Sequence, residues 1–223
     1  MTPSNKWHLE PLTPENSALL LIDHQVGTNF VSGAQTDLEF RNAVRALAKS
    51  AKNFNIPTLI TDSFPQGPNG YTMKWIADLF PASEIIHRQG QIDAFAYEPF
   101  AAAVKAVGRK KLVLTGVTGE VCAAFPIRSA LALGYEVYYC YDAAGAVDKM
   151  SMMATMLRVT QMGAVVLPWY AVAADWQKNW TLPGGQGLGE IFAEHLVHYE
   201  YVAQAQQDNM EAGAVAAGTK SKS

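Results

Sequence analysis

The 223-residue sequence is short of several things, and each shortage narrows what the protein can be. It has only two cysteines, Cys122 and Cys140. Two are too few for a disulfide framework, and both lie in apolar segments, which suits a reducing cytosol. Charged residues make up 17% of the chain, the net charge is -3, and the longest basic cluster is Arg109-Lys110-Lys111. That balance gives no footprint for a phosphate backbone, so no nucleic-acid partner is expected. The opening MTPSNKWHLEPLTPENS holds no apolar run of signal-peptide length, and no later run is long enough to span a bilayer. The expectation is a cytoplasmic protein with no membrane partner. A dinucleotide-binding domain needs Gly-x-Gly-x-x-Gly after its first strand, where this chain reads Asp23-His24-Gln25-Val26-Gly27. Gly-Lys-Ser/Thr is also missing, which excludes a P-loop, and there is no internal repeat.

What the chain does have is apolar residues, 49% of the total, enough for a large core without disulfides or metal. One domain over residues 1–210 is expected, followed by a small, polar and disordered tail over 211–223. Continuous apolar runs end in polar residues at 17–22, 58–61 and 84–88, and recur at 111–115, 135–141 and 164–167. Such runs suit strands covered on both faces. Helical spacing fills the intervals 38–54, 71–80, 98–107, 120–133 and 151–162. A last helix is expected from about Leu188 to Gln206. Six strand–helix units in alternation predict a doubly wound α/β sandwich, covered by helices on both faces.

The stretch 110–126, KKLVLTGVTGEVCAAFP, organises the rest. A buried strand, a turn with glycines to take unusual backbone angles, and a helix start follow one another. That predicts Cys122 in the first helical turn at the carboxyl end of a central strand. Free N–H groups and the helix dipole there favour a thiolate, and open α/β sheets bind their ligands at this edge. A lone cysteine is also read as simple packing. Asp23 and Arg88 end two further strands, however, and would meet Cys122 on the same edge. Taken singly, Asp23 reads as a helix cap and Arg88 as a surface charge.

These residues resemble the isochorismatase-like cysteine hydrolases, and within them the YcaC-type subgroup. The likeness rests on LLLIDHQ at 19–25, PTLITDSFPQGPNG at 57–70, RQGQIDAF at 88–95, KLVLTGVTGEVCAAFP at 111–126 and Tyr141-Asp142-Ala143. It runs over residues 15–180. The resemblance implies a three-layer sandwich on a six-stranded parallel sheet and a triad of Asp23, Arg88 and Cys122. Most of the family has Lys where Arg88 stands. Arg stays protonated, so it supplies charge and a donor fork rather than a mobile proton. Nicotinamidases of the superfamily bind metal through Asp-x-His after the second strand. Asp62-Ser63-Phe64 lacks that second ligand, so no metal and no cofactor are expected.

The reaction the resemblance implies is hydrolysis of a small amide-type C–N bond through a thioester. Arg88 and the helix start would favour the Cys122 thiolate, and Asp23 would move the proton. Backbone N–H groups of Thr118 and Cys122 would hold the oxyanion. The peptide before Thr118 would be cis. His24, Phe30, Phe64 and Phe95 are read as walls of a substrate pocket, with ordinary core packing as the alternative for the aromatics. His195 and His198 are expected to face solvent or a partner. The aromatic-rich segment 169–206 predicts a homo-oligomer larger than a dimer, ring-like by resemblance, with the C-terminal helices in its contacts. A catalytically silent scaffold and a thiol redox sensor remain alternatives at this point.

Overall fold

The computed structural model describes residues 7–81 and 83–216. Six parallel strands form one sheet: β1 (Ser17–Ile22), β2 (Thr58–Ser63), β3 (Ile85–Arg88), β4 (Lys111–Gly116), β5 (Glu136–Cys140) and β6 (Val165–Leu167). Their spatial order is β3-β2-β1-β4-β5-β6. The order reverses between β1 and β4, which are paired from Ser17↔Lys111 to Ile22↔Gly116. A crevice opens at such a reversal, because the two connections leave toward opposite faces.

Helices cover both faces. Alternation along β1 divides the core in two. Leu19 and Leu21 join Val113 under α2 (Asp37–Asn53), α7 (Trp169–Gln177) and α8 (Gly185–His195). Leu20 and Ile22 join Leu112 and Leu114 under α4 (Glu98–Val107), α5 (Ala124–Ala132) and α6 (Lys149–Met162). Every residue of β1, β4 and β5 is buried, which is why these strands read as unbroken apolar runs rather than alternating ones.

Local chemistry sets the helix ends. Thr36 and Glu39 form a reciprocal capping box at the start of α2. Asp148 accepts the Ser151 N–H at 2.7 Å to open α6, and Gly163, at φ 104°, closes it.

Several boundaries differ from the sequence expectation. The helix expected over 71–80 shrinks to α3 (Lys74–Ala77). The Asp62 carboxylate holds the N–H and hydroxyl of Thr72, and Gln25 bridges Thr72, so the chain stays extended there. A four-residue helix, α1 (Val26–Asn29), fills part of the loop after β1. The single helix expected over 188–206 is two, α8 and α9 (Glu200–Ala216). Leu196 turns extended between them, with its side chain packed on the core. Residues 211–216, expected in the tail, continue α9, and 217–223 lie outside the described residues.

Much of the C-terminal aromatic content is used within the chain. Trp169, Trp176 and Phe192 are buried, and Phe192 meets Trp169, Trp180 and Tyr199 edge to face. Trp180 and Tyr201 stay exposed, as does α9 along its described side chains. Of the two histidines expected at the surface, His198 is exposed. His195 is buried instead, its Nδ1 bonded to Asn42 Oδ1 at 2.8 Å, because α8 packs on α2.

Candidate active site

The switch point gathers Asp23 from the end of β1, Arg88 from the end of β3 and Cys122 from the turn after β4. Asp23 has φ 56°, a left-handed conformation that Asp tolerates better than most residues. Its backbone is tied down on three sides. Asp23 N–H donates to Thr61 O at 2.9 Å, and its carbonyl accepts from Gln25 N–H at 2.7 Å and from the Thr28 hydroxyl at 2.8 Å.

Arg88 is fully buried and lies across the end of β2 to reach Asp23. Its Nη1 and Nη2 donate to Oδ1 and Oδ2 of Asp23 at 2.9 and 2.8 Å, a bidentate pair. Nη1 also donates to Thr61 Oγ1 at 3.1 Å and Nε to Gln91 O at 3.1 Å. Four of the five guanidinium donors are therefore engaged, and Arg88 acts on the site mainly by fixing Asp23.

Cys122 is placed differently from the sequence expectation. It sits in a five-residue π-helical turn, Gly119–Ala123, and α5 begins only at Ala124. The turn closes through Ala123 N–H on Thr118 O at 3.2 Å. The peptide between Val117 and Thr118 is cis. The Cys122 sulfur lies beside the Asp23 carboxylate and the backbone of Thr118.

The glycines of this turn also serve a purpose other than the one expected. Neither Gly116 nor Gly119 has a positive φ. A Cβ on Gly116 would lie 3.0 Å from Ile22 O, and one on Gly119 would lie 2.4 Å from the Tyr139 hydroxyl. Close approach, not backbone freedom, requires glycine here. Gly119 N–H donates to Gly145 O at 2.6 Å, which ties the turn to the loop after β5. Glu120 anchors it to α6, accepting from Val147 N–H at 2.8 Å through its side chain and from Arg158 at 3.3 Å through its carbonyl.

The electrostatics run against the expected thiolate. Burial pushes the Cys122 thiol well up, the Asp23 charge adds to the rise, and the Thr118 N–H and Arg88 only partly oppose it. Burial also raises Asp23, against the pull of Arg88. Two acids that share a site do not both ionise, so the pair holds one proton and one negative charge beside the guanidinium.

The four expected pocket residues do not surround one cavity. Phe30, 85% exposed, lines a cavity of about 760 Å³ beside α1 and α2, whereas Phe95 packs edge to face on Phe100 and lines a different one. Phe64 is half exposed at φ 46°, its ring against Gly67. His24 is buried, with Nε2 against Ala143 O at 3.1 Å and its ring stacked over Phe40. Burial pulls its pKa down to about 4, so it is neutral at pH 7 and donates from Nε2.

Asp62 is engaged by Thr72 and by His87, whose Nδ1 lies 2.7 Å from Oδ1. Among the described residues no group of three His, Cys, Asp or Glu is disposed to hold a metal ion.

Thr61 and Gln91 escaped sequence reasoning. Thr61 lies on the Arg88 side of the sheet only because Ser63 pairs with Arg88, a register fixed by the fold.

The comparisons with known proteins bear on the same residues. The family model for the isochorismatase domain matches residues 17–170, from the first residue of β1 to the start of α7. The chain belongs to the isochorismatase family. It is 38% identical over 189 residues to the protein named "Probable hydrolase YcaC" of Escherichia coli, covering 84% of this chain and 90% of that one. The solved structure of E. coli YcaC, described as an octameric hydrolase of unknown specificity, superimposes with a TM-score of 0.85 at 34% identity, over 93% of this chain and 99% of that one. A Pseudomonas aeruginosa YcaC, solved with hexane-2,5-diol and covalent acrylamide, also gives 0.85, at 36% identity over 89% and 98%. Family and fold agree in the six-stranded parallel sheet. Membership supports a hydrolase of this family, and neither YcaC relative is described with a substrate. Among the described residues no helix is long and apolar enough to cross a membrane.

Proposed function

We propose that this chain is a cysteine hydrolase of small amide-type substrates, working through a thioester on Cys122. The observation that carries the reading is the convergence of Cys122 on the Asp23 carboxylate, itself held bidentately by Arg88. Asp23 takes the thiol proton as sulfur attacks the carbonyl carbon. The proton transfer moves one negative charge from Asp23 to sulfur and on to the carbonyl oxygen, so it creates no additional buried charge. The carbonyl oxygen gains the charge at the tetrahedral stage, where the N–H groups of Thr118 and Cys122 are the proposed donors. Asp23 then gives its proton to the departing nitrogen as the C–N bond breaks, leaving the acyl group on sulfur. Water, deprotonated by Asp23, attacks the thioester, and the proton returns to the Cys122 sulfur with release of the carboxylic acid.

Arg88 is a positioning residue in this scheme, since it acts through Asp23. The Pseudomonas relative carries covalent acrylamide, and an acrylamide adduct on Cys122 is expected here. A catalytically silent scaffold is the competing reading. The upward shift of the Cys122 thiol favours it, because a protonated thiol is a poor nucleophile until its base removes the proton.

One experiment decides between them. Wild type and Cys122→Ala are screened against small amides, ureides and hydroxamates, reading amine release and the acyl adduct by intact mass. Turnover and an adduct on the wild type alone support the hydrolase. No turnover and no adduct with any of them support the scaffold.

We also propose that the chain forms a homo-oligomer larger than a dimer, with exposed Trp180, Tyr201 and α9 in its contacts. The octameric E. coli relative supports the reading. Light scattering at micromolar concentration tests it, and a mass near that of one 24.2 kDa chain would refute it.

A further inference from the structure

The helix α6 is apolar on the side that faces away from the sheet as well as on the side that faces it. Thr155 and Val159 are buried, and Val159 and Met156 pack into the core beneath the helix. Met150, Met153 and Leu157 stand at i, i+3 and i+7, one side of a helix, and are 72, 54 and 61% exposed. A helix with apolar residues all round belongs inside an assembly rather than at its surface. Methionine suits such a contact, because its flexible thioether adapts to the shape it meets. Lys149 and Arg158 flank the stripe, and α6 contains no acidic residue. Asp148, just before it, is engaged by the Ser151 N–H. Arg158 donates to the Glu120 carbonyl and lies over the Phe125 ring, and Lys149 is felt by Glu39, whose carboxylate Thr36 already holds.

The helix α9 has the complementary character. Every residue from Glu200 to Gly213 is exposed, Tyr201, Val202 and Met210 among them. It carries Glu200, Asp208 and Glu211 and no basic residue. Asp208 and Glu211 accept from Gln204 and Gln207 of the same helix. Most helical stability in proteins comes from packing, so α9 needs a surface to lie on. Its own copy does not offer α6. The preceding helix, α8, covers the face of the sheet that buries Leu19 and Leu21, whereas α6 covers the face that buries Leu20 and Ile22. A contact of α6 with α6 of a second copy is opposed by charge, since it would bring Lys149 and Arg158 of both copies together without an acid from either helix.

We propose that the Met150–Met153–Leu157 face of α6 receives α9 of a second copy of this chain. The stripe covers apolar side chains of α9, while Lys149 and Arg158 meet its carboxylates. The apolar contact supplies most of the affinity, because exposed ion pairs contribute little, and the charges set partner and register. Two different patches meet, so every copy offers one of each, and a closed ring is the assembly that such contacts build. This docking rests on the homo-oligomer proposed above and names the surface that α9 meets.

The mass of the full-length chain is read by light scattering at micromolar concentration. Leu157→Glu puts an acid on the stripe at an exposed position and is expected to lower the mass at least twofold from wild type. Lys149→Glu/Arg158→Glu and Asp208→Lys/Glu211→Lys are each expected to do the same. The variant that combines these four exchanges the charges and is expected to recover the wild-type mass, which local damage to either helix would not do. Arg158→Glu also cuts the Glu120 contact. Should that double variant fail to fold, Leu157→Glu joined to Asp208→Lys/Glu211→Lys takes its place, with the same recovery expected. A wild type with the mass of one copy overturns the docking together with the homo-oligomer. A larger wild type whose mass Leu157→Glu leaves unchanged overturns the docking alone. So does a fall in the α6 variants without one in Asp208→Lys/Glu211→Lys, which would put another surface, α6 of a second copy included, on the stripe. Absence of recovery in the combined variant overturns the pairing of the two helices. None of these outcomes bears on whether Cys122 turns substrate over.

Discussion

Cys122 and Cys140 each face an aspartate at the carboxyl edge of the sheet. Cys122 meets Asp23 at the β1/β4 switch point, and Cys140 lies 3.4 Å from Asp142 at the end of β5. A backbone N–H opposes the rise at each sulfur, that of Thr118 for Cys122 and that of Ala143 for Cys140. Burial raises both thiols. A thiol, a carboxylate and an N–H donor therefore do not by themselves distinguish a nucleophile from a packed cysteine. Two further things do. Asp23 is gripped by a buried cation, whereas Asp142 Oδ1 is occupied by the Trp169 N–H at 2.9 Å and has no cation paired with it among the described residues. Cys122 is also partly open, whereas Cys140 is closed off within the sheet.

The largest expected effect comes from removing each thiol in turn. Cys122→Ala should lower turnover by more than about a thousandfold, as loss of a covalent nucleophile does, and Cys140→Ala by no more than about threefold. Iodoacetamide followed by peptide mass spectrometry should label Cys122 well before Cys140. Its rate should still climb above pH 9, because the thiol is raised rather than lowered. Equal labelling of the two would erase the distinction.

Arg88→Met makes the first pair resemble the second. It leaves Asp23 buried without its cation, which should cost about 3–5 kcal/mol in urea unfolding and depress turnover. Arg88→Lys keeps the charge but not the fork, and should recover part of both losses. A wild-type midpoint in Arg88→Met would mean that Arg88 does not hold Asp23 in solution.

The smallest effect tests the second pair alone. Burial raises Asp142 to about 6 from an ordinary 3.8. The folded state therefore keeps its proton over a range where the unfolded chain has lost it. Stability from this group falls as pH rises from about 4 to about 6, by up to about 3 kcal/mol, and is flat above that. Asp142→Asn keeps the acceptor for Trp169 and cannot ionise, so its unfolding midpoint should lack that decline. A decline of the same size in the variant would assign it to other groups. Among those, His24 works the other way. Its folded value of about 4 lies below 6.5, so its contribution is lost as pH falls through this range.

The sequence by itself determined the layered architecture and marked Asp23, Arg88 and Cys122 as the candidates for the proposed site. Continuous apolar runs such as Leu112-Val113-Leu114 signal strands covered on both faces, and those of β1 and β3 run out at Asp23 and Arg88. Those are local signals, readable without knowing what packs where. The tertiary structure decided the rest. The role of Arg88 depends on the β2–β3 register that sets Thr61 beside it, and on the left-handed turn that aims Asp23 at it. The state of Cys122 depends on how much water the fold removes from the thiol and which charge it leaves nearby, and no sequence window encodes either. The glycines of its turn look like turn residues until Ile22 and Tyr139 are seen pressing against them. Helix, strand and residue type are set over a few neighbours, whereas proton position and close approach are set by atoms that only folding brings together.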